Sequence, residues 1–132
     1  MIRLLLDTHA LLWAISEPDR LSRRARDAIA TNENELLVSS ASAWEIATKH
    51  RLGKLAGAEV LLASYTNQLE RLGAVDLAVT SAHALVAGSF DVDHRDPFDR
   101  MIAAQAAVEG LDVVSSDPAF AGFVPFGVRV MW

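Results

Sequence analysis

The stretch Met1–Trp13, MIRLLLDTHALLW, decides the fold. Ile2 and Leu4 to Leu6 make a short apolar run, broken only by Arg3, that stops abruptly at Asp7-Thr8. A run of this length bounded by polar residues is the pattern of a strand buried on both faces of a parallel sheet. From His9 to Ile15 the chain reads as the start of a helix. In open α/β sheets ligands bind in the crevice beyond the carboxyl ends of the strands, and Asp7 stands at that point. Asp7 also suits a plain helix cap, and taken alone it leaves both roles open.

Outward from this unit, strand and helix patterns alternate along the chain. The expectation is an α/β fold: a three-layer α/β/α sandwich with a short, mainly parallel sheet of four to five strands. Ser22 suits the N-cap of a helix to about Ala30, whose arginines Arg20, Arg23, Arg24 and Arg26 fall largely off its apolar stripe. Leu36 to Val38 reads as a second strand, closed by Ser39-Ser40. A helix follows from about Ala41 to Leu52, with Gly53 placed to end it. The spacing then predicts one helix over Ala58–Leu72, a strand over Ala74–Val79, and a helix from Thr80 to about Ala87. His83 in that helix reads as a surface or internally satisfied side chain. After a polar loop, Phe90 to Arg95, Asp96-Pro97 opens a helix that Gly110 ends. Leu111 to Val114 is a further strand, stopping at Ser115-Ser116-Asp117-Pro118. Val128 to Met131 is a short last strand, placed at the sheet edge.

The 132 residues suit one domain spanning 1–132, and a hydrophobic share of 52% favours a dense core over disorder. Having no cysteine, the chain has no disulfides, thiolate chemistry or Cys-based zinc sites. No apolar run approaches the roughly 18 residues that span a bilayer, and no secretory leader is visible. These features lead to the expectation of a cytoplasmic protein without membrane attachment. A net charge of −5 argues against broad, non-specific nucleic-acid binding. It is compatible with a nuclease whose acids are gathered at one site.

Each acid has an adequate local explanation. Glu45 either pairs with Lys49 at i,i+4 on a wet surface or projects into the crevice. Asp99 in the first turn of its helix is favoured by the helix dipole. Asp117 suits a helix cap before Pro118. Their joint placement is harder to dismiss, because Asp7 and Asp117 each follow a strand and Asp99 opens a helix on the same rim. Gathered carboxylates resist joint ionisation unless a counter-charge joins them. Oxygen-only ligands suit Mg²⁺ or Mn²⁺.

At four places the chain resembles PIN-domain ribonucleases, closest to VapC-type toxins of VapBC toxin–antitoxin pairs. The motifs are DTHALLW around Asp7, SAWEIATKHRLGKL around Glu45, HRDPFDRMIAAQA around Asp99 and SSDPAF around Asp117. The resemblance implies that Asp7, Glu45, Asp99 and Asp117 form a catalytic, metal-holding acidic site dependent on Mg²⁺ or Mn²⁺. It further implies an RNA substrate, a homodimer, and a small VapB antitoxin whose C-terminal segment covers the crevice. Thr8, Lys49, Arg100 and Ser115 are the residues expected to contact substrate or support the acids, and Asp96 is expected only to cap its helix. Ser115-Ser116 departs from the Thr-Arg often found before the last acid. Rival readings are a metal-dependent DNase or phosphatase with the same acids, an inactive PIN domain that only binds RNA or a partner, and a phospho-receiver domain. The last normally has paired acids after its first strand and a later lysine, whereas here Thr8 follows Asp7 and no lysine follows Lys54.

Overall fold

A computed structural model describes residues 1–132. Five parallel strands lie in the order β3-β2-β1-β4-β5: β1 (Arg3–Leu6), β2 (Glu35–Ser39), β3 (Ala74–Leu77), β4 (Asp112–Val114) and β5 (Arg129–Met131). The first strand is central, and Leu4, Leu5 and Leu6 are all fully buried. Side chains alternate across a strand. Leu4 and Leu6 therefore pack on one face with Leu36, Val38 and Val114, and Leu5 packs on the other with Leu37, Val113 and Val128. This two-sided burial explains why the run is continuously apolar; each leucine contributes roughly 1.5–3 kcal/mol.

Helices cover both faces. The Leu4/Leu6 face carries α1 (Thr8–Ser16), α2 (Arg23–Ala30), part of α3 (Ser40–Arg51), α4 (Glu59–Ala63) and α5 (Tyr65–Leu72). The Leu5 face carries α6 (Ser81–Ser89), α7 (Pro97–Glu109) and a run of 3-10 turns, Pro118–Phe126. Ser22 caps α2 as expected, its hydroxyl accepting from the Ala25 N–H at 3.0 Å. Gly110 ends α7 in the left-handed region at φ +69°, where a side chain would be strained.

The helix expected over Ala58–Leu72 is broken. Ser64 leaves helical geometry at φ −143°, ψ 42°, and its hydroxyl donates to the Val60 carbonyl at 3.0 Å. A serine bonding back one turn competes with the helix ladder. His83 is satisfied and buried at 1% exposure: Nδ1 accepts from the Thr80 N–H at 3.0 Å and Nε2 meets Glu109 at 2.8 Å.

Register places the site. Leu6 pairs with Val38 on one side and Val114 on the other. The next residues, Asp7, Ser39 and Ser115, therefore stand level at the carboxyl rim of three adjacent strands.

Candidate active site

Asp7 leaves β1 and caps α1, its Oδ1 accepting from the Ala10 N–H at 2.8 Å. At 5% exposure its charge is poorly solvated. Burial raises its pKa above the ordinary carboxylate value, and the Ser115 side chain and Ala10 N–H only partly offset this. The charge of Asp117, at the end of the neighbouring β4, pushes the same way. Asp117 is exposed and caps the 3-10 run, accepting from the Ala119 N–H at 2.9 Å.

Thr8 links this pair of acids to a second group. Its hydroxyl donates to Glu45 Oε1 at 2.5 Å and lies 3.1 Å from the Ser42 hydroxyl. Glu45 is 3% exposed, and its other oxygen is ion-paired with Lys49. Both expectations for Glu45 thus hold in part: the i,i+4 pair exists, but it is turned inward. Burial alone would lower the Lys49 pKa; the hydrogen bond to Glu45 and the charges of Glu45, Asp96 and Asp99 outweigh it and raise it. The ammonium therefore stands as the resident counter-charge of the acidic group.

Helix α7 supplies the facing side. Asp96 caps it, its Oδ1 accepting from the Phe98 and Asp99 N–H groups at 2.9 and 3.1 Å. Asp99 is held by His94, Nε2 to Oδ2 at 2.8 Å. Burial lifts the Asp99 pKa to about 6, with the charges of Asp96 and Glu45 adding and His94 opposing. Five acids thus occupy the carboxyl rim as two groups, Asp7 with Asp117 and Glu45 with Asp96 and Asp99, joined through Thr8. In these side-chain positions no three His, Asp or Glu residues surround a common point closely enough to hold a metal ion.

The residues expected to touch substrate all have internal partners. The Arg100 guanidinium donates to the carbonyls of Ala87, Phe90, Val92 and His94 at 2.6–3.0 Å. It hangs the loop that carries His94 and has little left for a phosphate. Ser115, 3% exposed, accepts from the Asp117 N–H at 3.0 Å and shapes the strand end. Thr8 fixes Glu45, and Lys49 neutralises it. Sequence reasoning passed over His94, which lies inside HRDPFD but in a segment read as a polar loop. Its spacing of five from Asp99 is the signal that was available.

The raised values of Asp7 and Asp99 mean that the folded chain holds protons more tightly than the unfolded one. Stability from this source is complete below the unfolded value of 3.8 and is lost as pH rises through about 6 for Asp99. In a chelator, thermal unfolding should therefore shift to lower temperature between about pH 5 and pH 7.5. Discounted for the solvent that reaches Asp99, the loss is on the order of 1–2 kcal/mol. The groups facing Asp99 are His94, Asp96, Glu45 and Lys49. Asp99→Asn should flatten the dependence, and an unchanged pH profile in that variant would contradict the assignment.

Comparison with known proteins agrees with this architecture. The sequence model of the PIN domain family matches residues 4–123. Ribonuclease VapC22 of Mycobacterium tuberculosis is 33% identical over 119 residues, covering 89% of this chain and 88% of that protein. Ribonuclease VapC16 of the same organism is 38% identical over 73 residues, and there the match spans about half of each protein, 50% of this chain and 52% of the relative. Among solved structures, DNA-bound VapBC from Salmonella typhimurium superposes with a TM-score of 0.71 at 23% identity, covering 99% of this chain and 98% of that one. At that identity the superposition speaks for the fold alone.

Proposed function

From the premise that this chain belongs to the PIN domain family, alongside VapC proteins, we propose that residues 1–132 form one metal-dependent endoribonuclease unit, a toxin silenced by a VapB-type antitoxin. The observation that carries the reading is the gathering of Asp7, Glu45, Asp96, Asp99 and Asp117 at one rim of the sheet, with Asp7 and Glu45 buried. A chain does not bury carboxylates together for stability. Two relatives named as ribonucleases supply the substrate class.

The donor chemistry fits a hard divalent cation, Mg²⁺ or Mn²⁺. Every candidate ligand is a carboxylate oxygen, burial raises the pKa of two of them, and a lysine ammonium already sits against a third. Asp7, Glu45 and Asp99 would hold the ion, and Asp117 completes the site from the exposed lip. When bound, such an ion supplies Lewis-acid stabilisation of the phosphoryl oxygens and of the attacking water. The chain's own groups do the positioning. Thr8 holds one Glu45 oxygen, His94 holds one Asp99 oxygen, and the Ala10 N–H holds one Asp7 oxygen. The second Glu45 oxygen carries Lys49, whose ammonium a bound cation would displace. The reaction is hydrolysis: a bond forms from water oxygen to phosphorus, one P–O ester bond breaks, and the leaving oxygen takes up a proton. Asp117, exposed beside Asp7, would accept the proton that the water gives up.

No helix is long and apolar enough to cross a membrane. Under the same reading the chain pairs with itself as well as with the antitoxin, and works in the cytoplasm. Purified chain incubated with Mn²⁺ should cut RNA, should leave DNA and a small phosphodiester intact, and should lose activity on chelation. Cleavage of DNA at a comparable rate would move the assignment to the rival DNase, and RNA cleavage insensitive to chelator would remove the metal.

A further inference from the structure

Three tryptophans occur in the chain, and two of them are occupied. Trp13 and Trp132 pack edge to face at 5.8 Å, and the Arg20 guanidinium lies 4.5 Å over the Trp13 ring. Trp44 is different: it is 63% exposed. Its aromatic neighbour is Phe98, at 4.9 Å and 75°, a T-shaped contact that leaves most of the indole surface in solvent. Trp44 immediately precedes Glu45 on α3, and Phe98 immediately precedes Asp99 on α7. The aromatic pair therefore bridges the two helices that bring the Glu45–Asp99 group together.

Charge limits how this chain can hold RNA. It has 12 Lys and Arg against 17 Asp and Glu. Arg3, Arg20, Arg26, Lys49 and Arg129 are ion-paired, and Arg100 is turned onto main-chain carbonyls, which leaves Arg23, Arg24, Arg51, Lys54, Arg71 and Arg95 to meet phosphates. With an acidic total and half of its cations engaged, the chain gains from a contact that does not depend on charge. Base stacking on an aromatic face needs no net charge and is available only to bases not already stacked in a duplex.

Building on the ribonuclease reading, we propose that Trp44, buttressed by Phe98, is the platform on which an unpaired nucleobase of the substrate stacks next to the acidic site. The platform acts in binding and leaves the chemical step to the acids.

The test uses the full chain and a labelled single-stranded RNA of about ten nucleotides. Affinity is read by fluorescence anisotropy in the Asp7→Asn chain, compared with and without Trp44→Ala in that same background, so that the strand stays whole. KM and kcat are read with Asp7 intact. Trp44→Ala should weaken binding by about 5- to 150-fold, the loss of one stacking partner, and raise KM in parallel. The kcat should stay within about threefold, and Trp44→Phe should restore most of the affinity. Circular dichroism checks that the exposed substitution leaves the fold unchanged. Equal affinity and KM in Trp44→Ala and the parent would overturn the platform while leaving the nuclease standing. So would a loss of affinity that tracks a change in oligomeric mass, which would assign Trp44 to a contact between copies. Absence of any RNA binding or cleavage by the parent chains would remove the ribonuclease reading itself.

Discussion

Asp7→Asn should lower RNA cleavage by about 10³-fold or more while making the metal-free chain more stable. The two effects share one cause. Asp7 is 5% exposed and its charged form is disfavoured by burial. Asparagine keeps the side-chain oxygen that accepts from the Ala10 N–H and is an equally good N-cap, so the start of α1 survives. What disappears is a negative charge that a divalent cation needs and that the fold pays to retain. Asp7→Ala should lose the activity as well, but it also loses the cap and about 1 kcal/mol of stability. The measurement is initial cleavage rate with Mn²⁺ together with thermal unfolding in chelator for the three chains. Undiminished cleavage by Asp7→Asn would take the acid out of the chemistry.

The second large effect concerns the facing acids. Glu45→Gln and Asp99→Asn should each weaken Mn²⁺ binding by at least about 10- to 100-fold, since even residues that only orient metal ligands reach that range. Glu45→Gln has an added consequence. Lys49 loses the carboxylate with which it is paired, while the charges of Asp96 and Asp99 remain close to it. The ammonium then becomes the cheaper counter-charge for those acids and competes with the cation. Lys49→Met in the Glu45→Gln background should recover part of the affinity, whereas Lys49→Met alone should leave Mn²⁺ binding at least as tight as in the parent.

The central strand was legible because burial on both faces leaves a continuous apolar run, and Leu4 to Leu6 show it without ambiguity. The helix starts at Ser22 and Asp96 were legible because a capping oxygen must sit next to the first free N–H groups. The break at Ser64 was not, because the competing bond runs from a serine hydroxyl to its own chain and leaves the apolar spacing intact. Asp7, Asp99 and Asp117 could be set on one rim from the alternation of strand and helix, since strand ends and helix starts share one side of such a sheet, whereas Glu45, inside its helix, joined them only through the resemblance. The partners of the acids could not. That Glu45 faces Thr8, that His94 reaches Asp99, and that Arg100 turns inward to four carbonyls are consequences of how α3, α7 and the intervening loop pack, and no local pattern encodes them. The exposure of Trp44 is of the same kind, because a tryptophan in an apolar helix segment ordinarily reads as core.

Calorimetric titration of Mn²⁺ into the full chain at about pH 7.5, where Asp99 is ionised, puts the whole scheme at risk in one experiment. Asp7 comes from the end of β1 and Asp99 from the first turn of α7, so they share an effect only if one ion spans them. The parent chain should bind, either single variant to Asn should lose most of the affinity, and the double variant should lose little more than each alone. A parent chain that takes up no Mn²⁺, or single losses that simply add in the double variant, would contradict a shared cation between the acids.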